Sequence, residues 1–350
     1  MNGSRADALP ETIRSESELD EVLTQPTPSL IQFIRSVPSP LVVLGAGGKM
    51  GPSLAVLARR AAVAAGHNLE VIAVSRFSNP ASREWLEKRD VRTVSADLLK
   101  EEEIRRLPDS ANVIYLVGQK FGTRENPGAT WAANTLAPAF VAKRFATARM
   151  VALSTGNVYP LAKVREGGAR ENAPLTPLGE YANAAVARER LFEFFASEHR
   201  TPLVILRLNY AVDLRYGVLM DIARKVLEDE TIDLTMGWFN CIWQGDANER
   251  IVRSLGLAAV PHRVFNLTSP QAFSVRTVAE RLGERLGRSP RFAGTEAETA
   301  LISCAEALSG ELGAPATTLD TLIRWAAAWV QSGGRSLNKP THFEVRDGVY

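Results

Sequence analysis

The chain predicts an α/β fold: a doubly wound parallel sheet with helices on both faces, followed by a smaller α+β region. Three observations carry this. Short apolar runs such as PLVVLGAG, LEVIAVS and NVIYLVG alternate with stretches that read as helix. The runs are apolar nearly throughout, as strands buried on both faces are. The first run ends in glycines that lead straight into a helical stretch.

Taken in order, residues 1–17 read as loosely held, and a short helix is expected from Ser29 to Arg35. PLVVLGAG is the first strand, with a helix from about Gly51 to Ala65. Strand LEVIAVS, helix PASREWLEKR, strand VRTVSA, helix KEEEIRRL and strand NVIYLVG follow. A long helix from about Pro127 to Ala146 leads to strand RMVALST. Residues 156–177 carry Pro160, Gly167, Gly168, Pro174 and Pro177 and read as a long loop, a length at which loops often bind ligands. A helix spans about Leu178 to Glu198, and strand PLVILRL is expected to close the sheet on that side. Beyond it come helix GVLMDIARKVLED, strands IDLTM and FNCIW, helix ANERIVRSLGLAA, strand RVFNLT, and helices SVRTVAERLGERLG and TLDTLIRWAAAWVQ. Crossovers between parallel strands are expected to be right-handed.

Bulk properties narrow the function. The chain has 350 residues, 45% hydrophobic and 23% charged, enough to bury a core without disulfides or metals. A net charge of +2 gives no electrostatic case for nucleic acid or an acidic membrane. Cys241 and Cys304, far apart, read as reduced thiols rather than a disulfide framework. His67, His199, His262 and His342 form no pair at ligand spacing, so no metal site is expected. The polar N-terminus lacks the apolar core of a signal peptide, and the longest apolar stretch, LAVLARRAAVAAG, is cut by Arg59 and Arg60. These features predict a soluble cytoplasmic protein.

The first motif with chemistry is VVLGAGGKMG. Gly45, Gly48 and Gly51 stand three apart, with Gly47 extra, between a strand and a helix. A tight turn, a backbone that a phosphate can approach, and free N–H groups at a helix N-terminus are what a dinucleotide pyrophosphate needs. The fold expected is therefore of Rossmann type, with Gly45, Gly48, Lys49 and Met50 at the phosphates. NAD binding normally places a carboxylate after the second strand. Here Ser75 stands there and Arg76 follows, and a guanidinium suits a 2′-phosphate, which favours NADP over NAD. Asp97, at the end of the third strand, either accepts the adenine amino group or caps its own turn. Leu98 and Gly118 complete the expected cofactor contacts.

VALSTGNVYP and GEYANAAVAR, with LGAGGKMG, carry a resemblance to the extended short-chain dehydrogenase/reductase group, the NAD-dependent epimerase/dehydratase family, over roughly residues 40–330. AANTLAP with Asn134, VILRLNYAV, IWQGDANE with Asp246, and VFNLTSPQAFSVRTVAERLGERLG extend it. The resemblance implies a Ser/Thr after the fifth strand, here Thr155, ahead of Val158 and Tyr159. It also implies a catalytic tyrosine about 25 residues later, here Tyr181. Tyr181 would exchange a proton with a substrate oxygen that Thr155 orients, while the nicotinamide exchanges the hydride. Members carry a lysine four residues after the tyrosine, one helical turn along on the same face. It lowers the tyrosine pKa and binds the nicotinamide ribose. This chain has Ala185.

An unassisted phenol has a pKa of about 10, so bringing one to about 7 takes on the order of 4 kcal/mol that Ala185 does not supply. Three readings stay open. Another cation assists Tyr181, with Arg188 at Tyr+7 nearest by spacing and Lys163 or Arg165 in the preceding loop as others. Alternatively, Tyr181 acts as a neutral proton donor. Or the fold binds dinucleotide without catalysis, as a sensor or partner subunit.

In the family the C-terminal third covers a sugar or sugar-nucleotide substrate. Trp238, Phe239, Trp243 and Arg215 are candidates to stack on or grip it, against a competing reading as core packing. Strand alternation sends Cys241 and Trp243 to one face and Ile242 to the other. The domain reading is 1–38 as an N-terminal extension, 39–208 as the dinucleotide domain, 209–332 as mainly substrate-binding, and 333–350 as a tail. The resemblance also allows a homodimer through the Tyr181 helix.

Overall fold

The structure is a computed structural model and describes residues 9–120, 122–339 and 341–348. Seven strands build its central sheet: β1 (Leu41–Leu44), β2 (Val71–Ser75), β3 (Arg92–Ser95), β4 (Asn112–Tyr115), β5 (Arg149–Thr155), β6 (Leu203–Leu208) and β7 (Arg263–Leu267). All pairings are parallel, in the order β7-β6-β5-β4-β1-β2-β3. Chain order reverses between β1 and β4, the topological switch point at whose carboxyl end α/β sheets bind ligands.

One sheet expectation needs correction. Leu203–Leu208 does not close the sheet, because β7 pairs outside it from Arg263↔Val204 to Leu267↔Leu208. The reason is visible in burial: five of the six β6 residues are buried, and a fully buried strand needs a hydrogen-bonding neighbour on each side. Such a run is as apolar as an inner strand because it is one.

The segment before β1 differs from the expectation too. α1 (Glu16–Thr24) precedes the expected short helix, α2 (Pro28–Ile34). Ser15 caps α1 by accepting from the Glu18 N–H, Glu16 and Glu18 lie in its first turn, and Leu19, Val22 and Leu23 form its buried stripe. Of the rest of the expected loose segment, residues 9–15 are held, with Ile13 buried and the Pro10 carbonyl accepting from the Trp325 indole at 2.9 Å, and residues 1–8 lie outside the described residues.

The other helices are α3 (Gly51–Ala64), α4 (Pro80–Glu87), α5 (Glu101–Arg105), α6 (Pro127–Arg144), α7 (Glu180–His199), α8 (Val218–Leu227), α9 (Gln244–Arg253), α10 (Val275–Leu286), α11 (Glu306–Leu312) and α12 (Leu319–Gln331). The α11 segment was not expected. Alternation along β1 sends Val43 into a core shared with α2, α3 and α9, and Val42 into one shared with α6 and α7. Each such buried valine contributes roughly 1.5–3 kcal/mol of hydrophobic stabilisation. A third core joins α8, α10 and α12 to Leu19, Val22 and Leu23 of α1.

The described residues after α12 are tied to the rest of the molecule. The Leu337 N–H donates to the Arg215 carbonyl at 3.0 Å, and Thr341 donates its N–H and hydroxyl to Asp221 at 2.9 and 2.6 Å. Phe343 is buried in the third core. Arg346 reaches the carbonyls of Thr235 and Thr299 at 2.9 and 2.8 Å. Gly348 packs on the backbone of Leu178 and Gly179, just ahead of the Tyr181 helix.

Candidate active site at the carboxyl end of the sheet

The glycine turn joins β1 to α3, and its glycines are needed for different reasons. Gly45 has φ +85°, and a Cβ there would stand 2.8 Å from Val117 Cγ2. A Cβ on Gly51 would stand 2.5 Å from Ala46 Cα, so this glycine permits close helix–strand packing. The extra Gly47 has a specific neighbour: a Cβ would meet Ser75 Oγ at 2.5 Å. Gly48 is exposed, and no side chain caps the N-terminus of α3. An open glycine backbone before an uncapped helix start at the switch point fits a dinucleotide pyrophosphate.

At the end of β2, Ser75 faces the glycine turn, and Arg76 is exposed with no ion pair among the described residues. Asp97 accepts the Leu99 N–H at 3.0 Å, and its own N–H donates to Glu103 Oε2 at 2.8 Å. Of the two readings of Asp97, the turn cap is the one with a visible bond. Leu98 is buried in the core under α6.

Gly118, just beyond β4, is exposed on the crevice, and two buried side chains hold the backbone around it. Arg188 Nη1 donates to the Val117 carbonyl at 2.9 Å, and Asn134 Nδ2 donates to the Gln119 carbonyl at 3.1 Å. A Cβ on Gly118 would stand 2.6 Å from Arg188 Nη1 and 3.4 Å from Asn134 Oδ1. Arg188 is only 4% exposed, and its Nε and Nη2 meet no hydrogen-bond partner among the described residues. Asn134 Oδ1 and the Tyr115 hydroxyl are likewise buried without partners there.

Tyr181 lies in the first turn of α7, largely buried, on the helical stripe that also carries Ala185, Arg188 and Glu189. Ala185 is fully buried against Val158, Tyr159 and Ala169, so the position of the absent lysine is apolar. Of the other cations considered, Lys163 pairs with Glu166 at 3.3 Å on the surface, and Arg165 is exposed. Thr155 ends β5 beside a 3₁₀ turn, Gly156–Val158, that packs on α7. Its hydroxyl donates to Asn157 Oδ1 at 3.0 Å and accepts the Asn157 N–H at 3.2 Å.

Several residues absent from the expected set converge here on one that belongs to it. Lys49, assigned to the phosphates, holds its ammonium 3.1 Å from the centre of the Tyr216 ring. Tyr216 lies close enough to Asp221 and Tyr181 for both to raise its pKa, after burial as the main cause. Lys49 keeps accessible surface, yet the protein packed around it pushes its pKa down to about 7; Lys339 of the tail and Lys120 add to this, and Asp221 opposes it. Burial lowers Lys120 to about 8. Lys339 and Tyr216 are brought in by chain reversals that local patterning does not encode.

Beneath Thr155 lies a closed polar network. Arg207 of β6 makes three bonds to the Glu189 carboxylate at 2.7–3.1 Å, one to the Tyr159 hydroxyl at 2.7 Å and one to the Glu171 carbonyl at 2.9 Å. Ser154 also donates to Glu189, and the Tyr159 hydroxyl donates to Asn266 Oδ1 at 2.9 Å. Burial, partly offset by Arg207, pushes the Tyr159 phenol up to about 12, so it stays neutral. The network ties β5, β6 and α7 together behind the site.

The aromatic candidates for substrate contact resolve toward packing. Trp243 stacks edge-on to Trp325 at 5.2 Å and Phe239 to Phe273 at 5.9 Å, both inside the third core. Cys241 shares that core with Trp243, while Ile242 faces the other one, as alternation predicts. Arg215 is taken up by Asp213 at 2.7 Å and Asp20 at 3.3 Å.

No helix among the described residues is long and apolar enough to cross a membrane. None of the curated proteins compared with the chain matches it. Solved structures do. The UDP-glucose 4-epimerase of the hyperthermophilic eubacterium Thermotoga maritima, with UDP-glucose, aligns at TM-score 0.68 and 18% identity, over 84% of this chain and 99% of that one. The UDP-glucose 4-epimerase of Thermus thermophilus, complexed with NAD, aligns at 0.65 and 19%, over 82% and 97%. DesIV, the dTDP-glucose 4,6-dehydratase of Streptomyces venezuelae, with NAD bound, aligns at 0.69 and 16%, over 83% and 97%. At such identities the likeness is one of fold. The profile of one enzyme family matches residues 41–230, more than half of the sequence. The chain therefore belongs to the NAD dependent epimerase/dehydratase family.

Proposed function

We propose that the protein is an NAD(P)-dependent oxidoreductase or epimerase/dehydratase acting on a hydroxyl or carbonyl of a sugar-like or sugar-nucleotide substrate. The observation that carries this is the meeting of three elements at the carboxyl end of the sheet: the open glycine turn, the Thr155 turn and the first turn of the Tyr181 helix. UDP-glucose in the Thermotoga structure supports the sugar-like substrate.

When bound, the nicotinamide supplies hydride exchange with the substrate carbon. Gly45, Gly48 and the backbone of Lys49 and Met50 hold the phosphates, and Gly118 lets the cofactor lie close to β4. Tyr181 in its ionised form takes the proton of the reacting oxygen, and as the neutral phenol returns it. Thr155 orients that oxygen by turning its hydroxyl proton from Asn157 Oδ1 to it, while the Asn157 N–H still holds the Thr155 oxygen. An alcohol so treated loses a proton to the phenol side and two electrons with the hydride, and becomes a carbonyl; the reverse restores it. Arg76, exposed beside Ser75, favours NADP over NAD, with Asp97 and Leu98 flanking the adenine. Exposed Trp131 and Leu136 on α6 and Phe194 on α7 supply an apolar face for a homodimer that includes the Tyr181 helix.

A second reading, a dinucleotide-binding subunit without turnover, is favoured by the apolar burial of Ala185. One experiment separates the two. Cofactor absorbance near about 340 nm is followed against a panel of sugars, sugar acids and sugar nucleotides. The enzyme reading expects a substrate-dependent change that Tyr181→Phe reduces by about 10²–10⁴-fold while cofactor affinity holds. Tight cofactor binding with no change on any substrate supports the second reading instead.

A further inference from the structure

Arg188 buries a permanent charge and uses one of its three nitrogens. A buried guanidinium is tolerated when carboxylates or several acceptors surround it, and is costly otherwise. Arg207, equally buried, has five bonds. Arg188 has one, to the Val117 carbonyl, and two nitrogens without partners among the described residues. Beside it, Asn134 Oδ1 is an acceptor without a donor there. Gly118, itself exposed, packs directly on this pair: a Cβ there would stand 2.6 Å from Arg188 Nη1 and 3.4 Å from Asn134 Oδ1.

We infer that Arg188 and Asn134 form the receptor for the nicotinamide-side ribose of the cofactor, across Gly118. The chemistry is complementary. Each hydroxyl of a vicinal diol accepts one hydrogen bond and donates another. Arg188 offers only donors and Asn134 Oδ1 only an acceptor, so a diol laid over Gly118 uses both. The position suits it: Gly118 stands at the end of β4, next to β1 across the switch point, while the glycine turn takes the phosphates on the other side. Arg188 thus fixes that ribose from two helical turns beyond Tyr181, and the apolar pocket around Ala185 is left to packing. Part of the burial cost of Arg188 is recovered when the cofactor binds.

This rests on the dinucleotide reading, and its test keeps the two apart. ADP, ADP-ribose and the full dinucleotide are titrated by calorimetry into the wild-type chain and Arg188→Met, with thermal unfolding alongside. Wild type should bind all three. Arg188→Met should bind ADP within about 2-fold of wild type but ADP-ribose and dinucleotide about 10- to 100-fold more weakly. Its melting temperature should not fall, because an under-bonded buried charge has been replaced by an apolar chain of similar length. ADP-ribose affinity equal to wild type overturns the inference and leaves the dinucleotide reading intact; so does an equal loss for ADP and ADP-ribose, the mark of a structural role. A wild-type chain that binds none of the three removes both. If Arg188→Met does not fold, Arg188→Lys is read the same way: loss confined to the two ligands that carry a second ribose supports the inference, and parallel or no loss overturns it.

Discussion

Two arginines, Arg188 of the tyrosine helix and Arg207 of β6, lie buried, 4% and 3% exposed, and they have opposite surroundings. Arg207 comes from β6 and meets a carboxylate, a phenol and a carbonyl, with all its nitrogens engaged. Arg188 comes from α7 and meets one carbonyl. The contrast separates scaffold from site. A charge that the fold has fully compensated stabilises the fold as a unit and has nothing left to offer a ligand. A charge left short of partners at the edge of a ligand crevice is a cost to the fold and a resource for binding.

The comparison breaks most visibly at Arg207. Replacing it by methionine strands Glu189 in a buried place, and urea unfolding should register a loss of about 3–5 kcal/mol. A loss under about 1 kcal/mol would mean that the network is ornamental and the contrast with Arg188 empty. Ala185→Lys comes next. An ammonium placed among Val158, Tyr159 and Ala169 should cost about 2–4 kcal/mol and bring no gain in turnover. Full stability with raised activity would show that this pocket still accepts the family's lysine. Arg76→Ala is a smaller and sharper change: NADPH affinity should fall about 10-fold with NADH unchanged. An equal response from both cofactors would remove Arg76 from the 2′-phosphate.

The gentlest test concerns protons. Burial, then Lys339 and Lys120, hold Lys49 near 7, below its ordinary 10.5. Between those values the unfolded chain binds more protons at this group than the folded one. Stability should therefore rise with pH across that window and carry the full penalty below it. Lys49→Met should flatten this part of the stability profile. Binding of the anionic cofactor should draw in a fraction of a proton at pH about 8, seen as a buffer-dependent heat that Lys49→Met abolishes. Identical heats in buffers of different ionisation enthalpy would count against it.

Much of this was legible in the sequence, for physical reasons. Six of the seven sheet strands follow from apolar runs placed between helical stretches, and the glycine turn follows from what a phosphate needs. The edge was misplaced because pairing partners 59 residues apart carry no local signal (Arg263 against Val204). Helix α1 was missed because its acidic face hid a three-residue apolar stripe. In the site, helical spacing pointed to Arg188, but its neighbour Gly118 is 70 residues away and only folding joins them. Arg207 did leave a trace: an arginine within VILRL must find a partner once that strand is buried. Tyr216, Lys120 and the tail's Lys339 left none, since loops and chain ends deliver them.

The central claim is that the crevice between β1 and β4 holds a dinucleotide whose nicotinamide half lies over Gly118 and in front of Tyr181. A crystal structure with cofactor bound tests it most directly. The account predicts a ribose hydroxyl within about 3.2 Å of the Arg188 guanidinium and the Tyr181 phenol turned toward the nicotinamide ring. A ribose lying clear of Arg188, or a ring seated away from Tyr181, would contradict it.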